Sequence, residues 1–217
     1  MSERKFEKTR WLEVTEHEFV VFPPEAYGPP PALGDFNDWN KGTMRLTRNC
    51  AAFAYDLREP DLADLPLGEY RITIANPGFM SGNPMKAITP VALRDALVSD
   101  GYIYLPGAKE HAITPPDGHH LIGAYSFSHP LVGSNLHLYR RSEKDRLWYH
   151  KPGWDDFVTN TDTHNEIITD LGKAKRSPFY EFAGLLLRPE GAAELSIQVE
   201  PLPPGSLGKI MWPRPGL

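Results

Sequence analysis

A single cysteine in a chain of 217 residues excludes an internal disulfide framework, and with it the small secreted scaffolds that depend on one. The fold has to hold by burial, and 41% hydrophobic residues suffice for one core of domain size. Apolar runs near the ~18 residues of a membrane span are missing. The start, Met1-Ser2-Glu3-Arg4-Lys5-Phe6-Glu7-Lys8, lacks the apolar stretch of a secretory signal. A soluble, cytoplasmic chain is expected, or one exported without a Sec signal peptide, with no membrane partner. Lys/Arg clusters interleaved with aromatics are missing too. With 23 basic and 28 acidic residues the net charge is -5, which argues against nucleic acid as a partner. Neither zinc-type Cys/His spacing nor a His-Glu-x-x-His helix occurs. His111, His119, His120 and His129 therefore read as loop histidines, and no metal or cofactor is expected.

What the chain has in quantity is punctuation. Its 22 prolines and 18 glycines gather in Pro23-Pro24, Pro29-Pro30-Pro31, Pro115-Pro116, Pro201 to Pro204 and Pro213-Arg214-Pro215-Gly216, which read as loops and boundaries. Between them, period-two patterns predict strands at 11–14, 19–22, 70–74, 102–105, 120–127, 136–140, 147–150, 182–187 and 195–199. One helix is well signalled over 90–99: Thr89 can cap, Pro90 opens the first turn, Leu93 and Leu97 share a face, and Gly101 follows. A shorter one begins at Cys50 and stops before Pro60. Few helices and many strands, without internal repeats, predict an α+β layer fold. The expected organisation is an N-terminal extension with a strand hairpin over 1–35, one domain over 36–200 and a Pro-rich tail over 201–217.

Cys50 stands in Arg48-Asn49-Cys50-Ala51-Ala52-Phe53-Ala54, the first turn of that shorter helix with Asn49 as N-cap. The positive end of a helix favours thiolate, the nucleophilic form. The competing reading is a buried cysteine acting as a small hydrophobe. A nucleophile also needs a base and a group to orient it. Asn135-Leu136-His137-Leu138-Tyr139-Arg140 and Leu147-Trp148-Tyr149-His150 flank a polar turn, Ser142 to Arg146, so a hairpin would bring His137 and His150 to the same end.

A helix-opening cysteine, then a strand histidine, then a polar residue on the partner strand resembles the papain-like superfamily in its NlpC-type bacterial arrangement. More closely, Asn49-Cys50-x-x-Phe53-Ala54, Ala75-Asn76-Pro77-Gly78-x-x-Ser81-Gly82, Asp100-Gly101, His137-x-Tyr139-Arg140, Trp148-x-His150-Lys151-Pro152-Gly153, Val158-Thr159-Asn160-x-Asp162 and Ile168-Thr169-Asp170 are similar to a largely uncharacterised group. That group reads Asn-Asn-Cys-Tyr-Asn-Tyr-Ala, His-Trp-Tyr-Arg and Trp-Ser-His-Lys-Pro-Gly. The likeness spans about 37–187; here Arg48 precedes Asn49, two alanines follow Cys50, and Tyr149 replaces the usual Ser.

The resemblance implies a papain-like fold, a few helices packed on an antiparallel sheet, and a cysteine peptidase or amidase. Cys50 would be the nucleophile, His137 the general base and then acid, and His150 its orienter, with Asn160 or Asp162 next in line. The Cys50 backbone N–H and the Asn49 side chain would serve the oxyanion. The substrate would be a peptide, peptidoglycan or protein. Two alternatives stay open: a toxin-like deamidase or acyltransferase sharing the thioester step, and a non-catalytic carbohydrate- or protein-binding module on the same scaffold. For the latter, Gly34-Asp35-Phe36-Asn37-Asp38-Trp39-Asn40 resembles a turn of glycogen-binding modules, although a loop anchored by a buried Trp39 fits the same residues.

Overall fold

A computed structural model of the chain describes residues 12–29, 32–60, 62, 64–108, 113–189 and 191–207. The opening Met1 to Lys8, Trp11, His111 and the tail from Gly208 onward lie outside the described residues.

Alternating side chains build two antiparallel sheets, which with few helices make the expected α+β fold. In the first, β2 (Gly68–Ala75) lies between β1 (Val14–Val21) and β8 (Ile197–Pro201). In the second the order is β3 (Ile103–Tyr104), β7 (Tyr180–Arg188), β4 (His120–His129), β5 (Gly133–Arg141) and β6 (Trp148–His150). Three helices accompany them: α1 (Gly42–Thr47), α2 (Cys50–Ala54) and α3 (Pro90–Ser99). In α3 the Thr89 hydroxyl accepts the Ala92 N–H at 3.2 Å, Pro90 sits in the first turn, and Leu93, Ala96 and Leu97 face inward.

The second sheet is covered on both faces, so β4 and β5 are buried almost throughout instead of alternating in and out. Ile122, Ala124, Leu136, Leu138 and Leu186 face α2, α3 and the first sheet's Ile72 and Ile74. Leu121, Tyr125, Tyr139, Trp148 and Leu185 face the other way, under Ile168 and Leu171 of the long loop after β6. Gly123 permits that cover. A β-carbon there would meet Leu171 Cδ2 at 2.1 Å, so a larger residue would lift the loop off the sheet.

Two expectations need correction. Strands over 11–14 and 19–22, with a hairpin of their own, become the one strand β1: its polar middle, Thr15 to Glu18, pairs residue by residue with Ile74 to Arg71. The alternation there marks a half-exposed strand instead of a break, and the register ties this segment to the domain that was expected to begin at 36. Helix α1 had no sequence signal of its own; no side chain caps it.

Candidate active site

Asn49 sets the start of α2. Its Oδ1 accepts the Ala52 N–H at 2.9 Å, satisfying one of the donors a helix start leaves without an internal partner. The cap uses this acceptor alone and leaves the Nδ2 donors, the part of the side chain an oxyanion would call on. The buried Arg48 fixes the approach to the helix, donating to the carbonyls of Thr47, Leu57, Arg58 and Pro60 at 2.8 to 3.1 Å.

Cys50 follows, and β5 receives it. Strand β6 pairs with β5 only from Tyr139 onward, which leaves the edge beside Leu136 and Leu138 for α2. The thiol lies 3.6 Å from the Leu136 carbonyl, and the Leu138 backbone hydrogen-bonds the sulfur from the other side of His137. The side chain is 9% exposed. Burial pushes its pKa up to about 11, opposed by the Leu138 and Ala51 backbone and by the nearby Lys151 charge. The expectation that the helix start favours thiolate is therefore overturned. Five residues carry only a short dipole, and desolvation of the sulfur outweighs it. At rest Cys50 is a thiol whose hydrogen bond goes to a carbonyl, not to an imidazole.

The two histidines meet as the hairpin predicted. His137 Nε2 is 2.8 Å from His150 Nδ1, and His150 Nε2 is 2.9 Å from the Thr161 carbonyl oxygen. A carbonyl only accepts, so His150 carries its proton on Nε2 and presents a bare Nδ1. His137 must then donate from Nε2, which leaves its Nδ1 with the lone pair. Among the described residues, His137 Nδ1 has no hydrogen-bond partner. Burial holds His137 well below the usual imidazole range, with the neighbouring His150 and Arg176 adding to the effect. Burial lowers His150 also, against the stabilising bond to Thr161. The tilted Tyr139 ring packs 4.8 Å from His137 and 4.7 Å from His150, fixing both planes.

Asn160 and Asp162, the alternatives to His150, are placed differently. The Asn160 backbone carbonyl accepts from Ile168, and the Asp162 carboxylate accepts the N–H groups of His164, Glu166 and Lys175 at 2.7 to 3.1 Å. They organise the loop, and the residue between them, Thr161, supplies the acceptor through its backbone. The His150 backbone holds that loop in register, exchanging two 2.9 Å hydrogen bonds with Thr159.

Lys151 was passed over by residue-type reasoning, although it stood in the Trp-x-His-Lys-Pro-Gly string. It is fully buried and donates to the Gly153, Trp154 and Asp156 carbonyls at 2.6 to 2.7 Å, and burial lowers its pKa to about 7. It clasps the turn that leaves β6, one residue after the base's orienter. Tyr180 was missed as well. Burial first and the Cys50 charge second push its phenol up to about 12, which puts this hydroxyl in electrostatic reach of the sulfur.

Elsewhere, the Gly34–Asn40 segment is a short 3-10 helix with Trp39 fully buried edge-on to Phe53. It offers no Trp39 face to a sugar ring, so the carbohydrate reading of this loop falls. Among the described residues no cluster of three or more His, Cys, Asp or Glu could hold a metal, and no helix is long and apolar enough to cross a membrane. His129 is occupied in its own turn, where Nδ1 accepts from Leu131 and Val132. A cavity of about 640 Å³ lies beside Arg48, among Phe22, Tyr27, Met44 and Leu62. Another of about 410 Å³ lies between β1 and the start of β5, reaching Asn76, Asn135 and Leu136, the thiol's acceptor. Neither is lined by Cys50, His137 or His150.

No protein-family model matches the chain, and neither the curated proteins nor the solved structures give a match.

Proposed function

We propose that the chain is a cysteine-dependent hydrolase, a papain-like peptidase or amidase of NlpC type, working through a thioester at Cys50. The observation that carries this reading is the relay from the Thr161 carbonyl through His150 to His137, which leaves a neutral, buried imidazole with one unshared lone pair on the strand that holds the thiol. In this mechanism a thiol near pKa 11 is activated by general-base attack: the neutral His137 takes the proton as the sulfur bonds to the carbonyl carbon. Collapse of the tetrahedral intermediate breaks the C–N or C–O bond, and the His137 imidazolium returns the proton to the leaving group. Water then attacks the thioester with His137 again as base. His150 holds the tautomer throughout, and its bond to Thr161 becomes stronger as positive charge develops on the pair. The substrate is a peptide, peptidoglycan or protein amide.

The burial of the thiol favours a second reading, a non-catalytic binding module on the same scaffold. One experiment separates the two. Wild type and Cys50→Ala are incubated with a panel of peptide, muropeptide and nitrophenyl ester probes, and the intact mass is read after acid quench. The hydrolase gives an acyl adduct that maps to Cys50 and is absent from the variant. A wild type that takes up no acyl group from any probe leaves the module.

A further inference from the structure

Large apolar side chains exposed to solvent are not scattered evenly over this molecule. Leu131, Val132, Phe179 and Phe182 are 91%, 76%, 38% and 49% exposed, and all four lie at one end of the second sheet. The His129 ring builds the hairpin tip: its Nδ1 accepts the Leu131 and Val132 N–H groups at 3.1 and 3.2 Å, so the turn is held while both aliphatic side chains stay outside. From the tip a row of rings runs inward along the face that carries His137. Phe179 meets His129 at 4.2 Å between centroids, Phe127 meets Tyr180 at 4.9 Å, and Tyr180 meets His137 at 6.0 Å. The register explains the alignment. Tyr125 is opposite His137 and Phe182, Phe127 is opposite Tyr180, and His129 closes the strand opposite Gly133.

Resting on the hydrolase reading above, we propose that this row is the binding track for an apolar arm of the Cys50 substrate, an amide or ester carrying an aromatic or aliphatic group. Three observations choose that occupant. The track ends at the base itself and not on an unrelated surface. Tyr180, the ring between the track and His137, packs 4.9 Å from Phe127 and 6.0 Å from His137, so a chain lying on Phe127 leads to the proposed base within two ring contacts. The track's own side chains also carry no carboxylate: Glu181 falls at the alternate position beside Ser126, on the opposite face, and Arg176 is spent on the Tyr125 ring at 4.2 Å. A charged or strongly hydrated chain would gain nothing here. From Tyr125 to His129 the strand rises about 13 Å, room for a medium-length alkyl chain or for two or three side chains of an extended peptide.

The test labels Cys50 in the full chain with iodoacetamide and with its N-benzyl and N-octyl derivatives, in wild type and in the double variant Phe179→Ser, Phe182→Ser. Both positions are solvent-facing, so folding is preserved and is checked by thermal melting. The benzyl and octyl reagents label wild type with saturation, about tenfold to a hundredfold faster than iodoacetamide, as burial of several apolar groups would give. The variant loses this gain and keeps the iodoacetamide rate. Labelling by iodoacetamide without a gain from the apolar arm, or a gain the variant retains, overturns the track and leaves the hydrolase standing. Absence of labelling by any reagent in the folded protein overturns both. Sedimentation of wild type as a dimer that the variant makes monomeric assigns the patch to a second copy of the chain instead. Binding to phosphatidylcholine vesicles that Leu131→Ser and Val132→Ser remove assigns it to a lipid surface; either result overturns the track.

Discussion

Two imidazoles on adjacent strands of the second sheet, His120 half-buried and His137 buried, are both pushed toward the neutral form, and only one keeps a nitrogen available for chemistry. On β4, His120 is lowered to about 4, first by burial and then by Arg140, whose Nη2 lies 3.1 and 3.3 Å from the two ring nitrogens. Arg140 is in turn paired to Asp56 at 2.9 Å and packs over Phe36. The cluster is closed, with a cation answering the ring and a carboxylate answering the cation. On β5, His137 is bonded on one side alone, and its chain of partners ends in a neutral carbonyl. Burial makes each ring a neutral base; the partner decides whether that base is used up. An arginine consumes the ring's acceptor capacity, whereas a second histidine anchored to a carbonyl consumes only a proton and leaves the far lone pair.

Breaking the closed cluster has the largest expected effect on stability. Asp56→Asn keeps a residue that tolerates the positive φ of 52° at this position but leaves the Arg140 charge buried without its carboxylate. Urea denaturation should show a loss of about 2–3 kcal/mol. A loss under about 0.5 kcal/mol would mean that the cluster does not hold this end of the sheet.

Removing the relay should cost less stability and more chemistry. His150 is a buried side chain with two hydrogen bonds, so His150→Ala should lower stability by about 1–3 kcal/mol. Acyl transfer to Cys50 should fall by about 10² to 10⁴. Equal activity in the variant would remove His150 from the mechanism.

The shared feature of the two sites predicts a pH dependence. His120, His137 and His150 are all lowered in the folded state, so unfolding takes up protons as pH falls below the unfolded value near 6.5. Their contribution is fully present above about pH 6.5 and is lost as pH drops toward the folded values, by up to about 1.4 kcal/mol per pH unit for each imidazole. His120→Gln should remove about one third of this slope between about pH 6 and pH 4. Urea midpoints at a series of pH values test this, and an unchanged slope would contradict the assignment.

The smallest effect is spectroscopic. ¹⁵N shifts of labelled protein should report the Nε2–H tautomer for both His137 and His150 at neutral pH. A proton on His137 Nδ1 would reverse the direction of the relay.

Much of this geometry was legible where a residue type alone sets the structure. Thr89, Pro90 and Gly101 delimit α3, Asn49 caps α2, and the polar turn between β5 and β6 brings His137 to His150. What stayed hidden depends on neighbours distant in sequence or on the backbone. The acceptor that orients His150 is the carbonyl of Thr161, which no residue type announces, and the two residues singled out in its place flank it. The state of the Cys50 thiol is set by burial against β5, whose Leu136 carbonyl 86 positions away accepts from it, and that burial outweighs the helix start that the local sequence displays. Arg140 read as a strand residue until Asp56 and His120 surrounded it.

The most direct test is the rate at which a nitrophenyl ester acylates Cys50, compared between wild type, His137→Ala and His120→Ala by intact mass against time. A base on β5 predicts that His137→Ala slows acylation by about a hundredfold or more while His120→Ala stays within about threefold of wild type. Equal rates in all three proteins, or a larger loss from His120→Ala, would contradict it.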